Sequence, residues 1–462
     1  MNLKGKKAAV LGFSIEGMAT TRYLLKAGAR VIVCDQNSPQ KLEENLKKIK
    51  ADEVLLQLGK NCLKNLNQFE ILFRTPGMPL WHPELITAKK AGVQISSQTK
   101  LFFDLCPCPI IGVTGTKGKG TTASLIFEIL KTAGKNVFLG GNIGNPPIEF
   151  LDKLTSDSWV ILELSSFQLE DLEASPHIAV VLNITSDHLF SVAPDNPNYH
   201  LSQKDYLKAK ENIVKYQKKK DYAVLNFDYQ VSRNFSQLTQ GQIHYFSKKK
   251  KIKGAYVQSN SLFLNKDLIG ETQNLILPGI HNWENVTAAI CAASLAGAPI
   301  SAIKKAVFDF KGLEHRLEFV REVEGVKYYN DSFSTTPETA IAAIKAFKKP
   351  IILIAGGSEK GLDYTELGKE IVNSSVKTLI LIGQIADKIE KAVRKNSKTP
   401  KLKNSKLKII KNLKTMKEII KEARIEANPG DIIVLSPASA SFDMFKNYKE
   451  RGKQFKNEAA KI

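Results

Sequence analysis

The stretch from Pro109 to Leu125, "PIIGVTGTKGKGTTASL", sets glycines, a lysine and threonines in the order a triphosphate-binding turn needs. Gly115, Gly118 and Gly120 let backbone N–H groups turn inward around phosphate oxygens, and the following helix start adds positive potential. Lys119 supplies a mobile charge for the β- and γ-phosphates within Gly115-Thr116-Lys117-Gly118-Lys119-Gly120-Thr121-Thr122. The spacing departs twice from G-x-x-x-x-G-K-[ST], because Val113 stands at the first glycine and Gly120 follows the lysine. The hydroxyl that would face a magnesium ion is displaced, leaving Thr121 and Thr122 as candidates. Alone, this loop specifies a nucleoside triphosphate and no reaction.

Other residues of chemical interest sit at the ends of apolar runs. Glu163 closes "WVILE", where a carboxylate can hold a metal ion opposite a phosphate loop. His188, after Asp187 in "NITSDHLF", follows a second such run, and the two ends are expected to converge beside the loop. "GIHNWEN" places Asn282 and Asn285 at a helix start, where paired amide donors and acceptors suit an adenine edge or a helix cap equally. Arg316 in "GLEHR" offers a bidentate phosphate partner. Asp331 in "YYNDS" can bond a ribose hydroxyl or metal-bound water, and Lys360 in "GGSEKG" suits an anionic substrate.

The elements that must carry these residues alternate strand-sized apolar runs with amphipathic helical patterns, the signature of α/β units with parallel sheets. Three domains are expected: Rossmann-like over 1–97, a P-loop ATPase-like domain with a mostly parallel sheet over 98–312, and a second Rossmann-like domain over 313–462. The first opens on a strand, Gly12 and Gly17, a helix, and a second strand ending in Asp35. Ser14 occupies the second glycine of G-x-G-x-x-G, so a nucleotide-like fold is expected without a redox cofactor. "FRTPGMPLWHP" follows a short strand and forms a loop at the sheet's carboxyl end, where ligands of open α/β sheets collect.

No apolar run approaches the roughly 18 residues a membrane span needs. Five cysteines, with Cys106-Pro107-Cys108 not spaced as C-x-x-C, suit reduced thiols in the cytoplasm. The net charge of +21 raises the question of nucleic acid, yet only nine of the 67 basic residues are Arg and the lysines are spread along the chain. Solvated surface is the expectation, and no nucleic-acid partner.

Taken in order, GTKGKGTT, LELSSFQLE, TSDH, YLKAK, GIHNWEN, HRLE, NDS, GGSEKG and SPASASFDMFKNYKERG resemble the Mur ligase family over essentially the whole chain. LELSSFQLE and the C-terminal motif point within it to the ligases that add D-glutamate to UDP-N-acetylmuramoyl-L-alanine. The resemblance implies ATP, two Mg²⁺ ions and an acyl phosphate attacked by the amino-acid amine. It assigns Lys119 and Thr121 to the phosphates and first metal, with Glu163 a metal ligand, and His188 with a carbamylated Lys210 to the second. Only the match at Tyr206-Leu207-Lys208-Ala209-Lys210 singles out Lys210 among its neighbours. Asn282 and Asn285 would face adenine, Arg316 the γ-phosphate and Asp331 the ribose. Thr335, Lys360, Ser441 and Tyr448 would surround D-glutamate. Ser14, Asp35, Thr75 and Gly77 would hold the UDP end, and Asn142 and His188 the muramoyl part. The chain is expected to act as a monomer.

The chain departs from the family pattern at Phe333, where a lysine is common, at Phe190-Ser191, where Asp-Arg is common, and mildly at Tyr448. The loop's GKG-Thr resembles folylpolyglutamate synthetases, which lack the Rossmann-like first domain. The competing readings are a sister ligase adding another amino acid or a folylpolyglutamate-type ligase, an ATP-binding nucleic-acid protein, and an NAD dehydrogenase, which Ser14 disfavours.

Overall fold

The computed structural model describes residues 2–49, 54–185, 198–397 and 407–462. It divides into two compact units, Met1–Thr272 with Glu284–Val307, and Gln273–Trp283 with Phe308–Ile462.

The first unit holds two sheets. Strands β1 (Lys7–Leu11), β2 (Arg30–Asp35), β3 (Leu55–Leu58), β4 (Ile71–Arg74) and β5 (Gln94–Ser97) form an all-parallel sheet in the order β3-β2-β1-β4-β5. The order reverses at β1, so the β1 and β4 exits flank a crevice at the carboxyl edge. The second sheet comprises β6 (Ile110–Thr114), β7 (Val137–Gly141), β8 (Trp159–Glu163), β9 (Ile178–Val181), β10 (Tyr222–Asn226), β11 (Gln242–Ser247), β12 (Gly254–Gln258), β13 (Ser261–Leu264) and β14 (Asp267–Glu271). Its order is β14-β13-β12-β11-β10-β9-β6-β8-β7, parallel from β7 to β12 and closed by an antiparallel pair of hairpins. Every residue of β6 and β9 is buried, as expected for strands covered by helices on both faces.

The second unit holds β15 (Glu318–Val323), β16 (Val326–Asn330), β17 (Ile351–Gly356), β18 (Val376–Ile382), β19 (Lys408–Ile410) and β20 (Ile432–Leu435), in the order β15-β16-β20-β17-β18-β19. Only the edge pair β15–β16 is antiparallel. Alternate residues of β17 and β20 feed two cores, one on each face. The mixed α/β architecture, with mostly parallel sheets, agrees with the alternation read from the sequence. Among the described residues no helix is long and apolar enough to cross a membrane.

Candidate active site

Strand register assembles the candidate groups of the first unit. Val113 pairs with Glu163 and Gly141 pairs with Glu163 from the other side, so the β6, β7 and β8 exits lie side by side. The phosphate-type loop leaves β6, and its helix spans Lys119–Thr132. Gly118 has φ 88°, and an added Cβ would lie 2.1 Å from Asn285 Oδ1. Only glycine fits both that backbone and that neighbour. Asn285 thus packs on the turn of the loop, and Thr122, fully buried, places its Oγ1 3.5 Å from the same oxygen. Thr121 keeps partial exposure. Lys119 Nζ donates to the carbonyls of Gly115 (3.2 Å) and Thr116 (3.0 Å), within its own loop.

The loop is braced from three sides. Thr116 N donates to Asn183 O (2.7 Å), Thr116 Oγ1 lies 2.9 Å from Tyr206 OH, and Lys117 N donates to Asn183 Oδ1. Asn183 is held in turn by Glu284, which also pairs with Lys248 at 2.7 Å. Lys210 lies on the helix Gln203–Lys215, 1% exposed, and donates to Gly115 O (3.0 Å) and Thr114 Oγ1 (3.3 Å). Its match-based assignment therefore falls beside the loop. Glu163 is 7% exposed, and its Oε1 accepts from Asn142 Nδ2 at 2.9 Å, which joins the residue expected at the muramoyl group to the expected metal ligand. The Thr121 hydroxyl and the Glu163 carboxylate are hard oxygen donors of the type Mg²⁺ takes. As an ammonium Lys210 offers a metal nothing, so a second ion there needs the carbamate. Among the described residues no three His, Cys, Asp or Glu side chains cluster as a metal site. His188 lies outside the described residues, as do Phe190 and Ser191.

At the first sheet, Asp35 spends both oxygens on its surroundings. Oδ2 accepts from Phe13 N (2.7 Å), and Oδ1 accepts from the Asn37 backbone (2.8 Å) and amide. Thr75 Oγ1 donates to Leu11 O (2.8 Å) and would meet a Cβ on Gly12 at 2.5 Å. These bonds shape the turn that exposes Ser14 at the N-terminus of the helix Ile15–Lys26, with Gly77 exposed across from it on the β4 exit loop. The residues proposed for the UDP end thus meet at one sheet edge, Asp35 and Thr75 as framework and Ser14 and Gly77 at the surface.

Sequence reading missed the residues that tie the two sheets together. Arg74, 1% exposed, donates to Asp171 Oδ1 (2.8 Å), Phe167 O (2.6 Å) and Met78 O (3.3 Å). Glu16 lies nearby, and burial pushes its carboxyl up to about 7, against the pull of Arg74 and of a Gln168 hydrogen bond. Gln168 closes a capping box with Ser165 directly after β8, so the loop leaving Glu163 is fixed to the first sheet. Two of its partners, Phe167 and Asp171, are more than ninety positions away, and no local spacing signals them.

In the second unit, Asp331 follows β16. Its Oδ1 accepts from Leu317 N (3.1 Å) and Oδ2 from Ser436 Oγ (2.7 Å), and burial raises it to about 7. The Arg316 guanidinium lies over the Phe333 ring, 4.1 Å from its centre. Tyr448 opens the helix Tyr448–Ala459 and meets Phe333 edge-on at 5.0 Å. Ser441 is buried, Thr335 half-buried, and Lys360 exposed on the loop after β17. Asn282 Nδ2 donates to Pro278 O at 2.7 Å.

Arg451, fully buried, ties these loops: Nε donates to Ser332 Oγ (3.0 Å), and its terminal nitrogens donate to the carbonyls of Ser332 (2.9 Å), Ser439 (3.1 Å) and Ala440 (3.2 Å). Burial lowers its pKa to about 10. A Cβ on Gly452 would fall 2.2 Å from His315 Nδ1, so the residue beside the clamp makes room for the ring preceding Arg316. The closing "RG" of the sequence motif carried this signal without its meaning.

Three family models match the chain: Mur ligase MurD-like, N-terminal domain, over residues 6–97; Mur ligase middle domain over 113–293; and Mur ligase, glutamate ligase domain, over 315–439. A relative from Acetivibrio thermocellus, named UDP-N-acetylmuramoylalanine–D-glutamate ligase, is 41% identical over 459 residues, 98% of this chain and 96% of its own. A relative of the same name from Symbiobacterium thermophilum is 42% identical over 98% of this chain and 97% of its own. Among solved structures, MurF from Acinetobacter baumannii superposes with a TM-score of 0.58 at 15% identity, covering 99% of this chain and 92% of its own. At that identity the likeness is one of fold.

Proposed function

The chain belongs to the Mur ligase family, and on that premise we propose that it joins D-glutamate to UDP-N-acetylmuramoyl-L-alanine with ATP, in peptidoglycan precursor synthesis. The observation that carries the reading is whole-length identity of about 40% to relatives bearing that name.

A carboxylate is a poor electrophile. In the proposed reaction its oxygen attacks the γ-phosphorus of ATP, ADP departs, and the carboxyl carbon gains phosphate as a leaving group. The D-glutamate nitrogen then attacks that carbon, loses a proton, and phosphate leaves as the amide forms. Lys119 would exchange its two loop carbonyls for phosphate oxygens, and the backbone between Gly115 and Thr121 would line the β-phosphate. Mg²⁺, held by Thr121 and Glu163, would supply charge neutralisation between phosphates. His188 and carbamylated Lys210 are proposed for a second ion. Asn282 and Asn285 are proposed for adenine, Arg316 for the γ-phosphate and Asp331 for the ribose. Thr335, Lys360, Ser441 and Tyr448 are proposed for D-glutamate. Residues 1–97, 98–312 and 313–462 are the proposed UDP-substrate, ATP and amino-acid domains. The cytoplasm suits ATP as a substrate and the five free thiols.

The test is ADP release with UDP-N-acetylmuramoyl-L-alanine and a panel of amino acids. Turnover dependent on D-glutamate is expected, and none with D-glutamate sinks the reading. Lys210→Ala should abolish turnover, with partial recovery on adding short carboxylates. Wild-type turnover in that variant disposes of the carbamate.

A further inference from the structure

Phe333 is an apolar ring left 38% exposed at the carboxyl edge of the second unit's sheet. Its backbone N–H bonds to His315 O at 2.9 Å, which fixes it against the turn that carries Arg316. One face of the ring receives the Arg316 guanidinium at 4.1 Å, and the ring also meets Tyr448 at 90°. Tyr448 in turn meets His315 edge-on at 5.9 Å, so the platform is itself held from behind.

A planar guanidinium stacked on an aromatic ring uses its face and leaves its N–H edges for a second partner. Those edges match two oxygens of a phosphate or carboxylate. A lysine at 333 would repel Arg316 and add a second, mobile cation. A phenylalanine there instead restricts the first cation to one orientation. From this geometry we infer that Phe333 is a positioning residue, its ring presenting Arg316 edge-on to the terminal phosphate of the nucleotide. The inference rests on the ligase reading above, and on Arg316 as the phosphate partner.

The experiment compares Phe333→Leu, Phe333→Tyr and Arg316→Ala by ATP titration calorimetry and by ADP-release kinetics. Leucine keeps apolar bulk and removes the π face. Phe333→Leu should weaken ATP binding and raise its KM roughly 3- to 30-fold, the range a cation–π contact is worth from exposed to desolvated. Phe333→Tyr should restore both values, and the thermal midpoints of all three should stay near that of the wild type. Phe333→Leu acting like the wild type, or Phe333→Tyr as impaired as Phe333→Leu, overturns the inference. In a double-mutant cycle, full additivity of Phe333→Leu with Arg316→Ala overturns it as well. If Arg316→Ala leaves ATP binding unchanged, the assignment of Arg316 to phosphate fails, and the inference with it. If Arg316→Ala weakens binding and Phe333→Leu does not, only the inference fails.

Discussion

Each unit of the molecule buries an arginine next to its proposed binding groups, and the two are accommodated differently. Arg74 faces carboxylates, Asp171 at 2.8 Å and Glu170 at 3.8 Å, on a loop leaving the neighbouring sheet. Arg451 has no carboxylate in its hydrogen-bond set: all four of its bonds go to the carbonyls and hydroxyl of Ser332, Ser439 and Ala440. Each has a buried acid nearby that burial lifts to about 7, Glu16 beside Arg74 and Asp331 beside Arg451. A buried cation can be compensated by counter-charge or by fixed dipoles, and the choice decides what its loss leaves behind. Removing Arg74 leaves Asp171 and Glu170, 14% and 22% exposed, facing each other without the cation and takes the donor from the Phe167 carbonyl. Removing Arg451 takes the donor from the Ser332 and Ser439 carbonyls, while the Ala440 carbonyl keeps the Ser358 N–H at 2.9 Å.

The largest effect is expected from Arg451→Ala, at about 3–5 kcal/mol, since several buried acceptors lose their donor together. Hydrogen exchange should speed up at β16 and β20 while β1 and β6 keep their protection. Unchanged exchange at β16 would show that the carbonyls find other donors.

Arg74→Met should cost less, about 1–3 kcal/mol for acceptors left without their donor, and adding Asp171→Asn should recover most of it because both charges are then gone. Urea midpoints of the single and double variants measure this. Recovery by a single second substitution is not expected for Arg451, whose partners are mostly backbone. An unrecovered Arg74→Met/Asp171→Asn double variant would erase the distinction between the two clamps.

The smallest effects concern the two acids. A carboxyl whose folded pKa lies above its unfolded value contributes fully at low pH and loses that contribution as pH rises. The windows run from 4.5 to about 7 for Glu16 and from 3.8 to about 7 for Asp331. Stability should therefore fall between pH 6 and pH 7, by no more than about 1.4 kcal/mol per group. Glu16→Gln and Asp331→Asn should each flatten part of that slope in urea midpoints. Steepening in either variant would reverse the sign argued here.

Much of this was legible because it is local. Strand, glycines, lysine and helix follow one another between 110 and 132, and the apolar run before Glu163 announces a buried strand with an acid at its tip. The role of Asn285 was hidden, since its contact with Gly118 joins positions 167 apart. The bonds of Asp35 to Phe13 and Asn37 were equally hidden, since Phe13 lies 22 positions away. Arg74 and Arg451 stayed anonymous for the same reason: their partners are set by sheet order, which periodicity does not encode.

Arg451 and Gly452 also bear on how far this chain can vary. The first position demands the widest donor fork available, and the next permits no side chain at all. Glycine inside a helix carries a propensity penalty of roughly 1 kcal/mol relative to alanine, which selection for helix stability alone would remove. Here the alanine methyl would strike His315, so drift toward the better helix former is closed, and so is drift of its neighbour toward lysine. Two adjacent codons are thereby tied to opposite extremes of side-chain size, and a library randomised across them should return the parental pair.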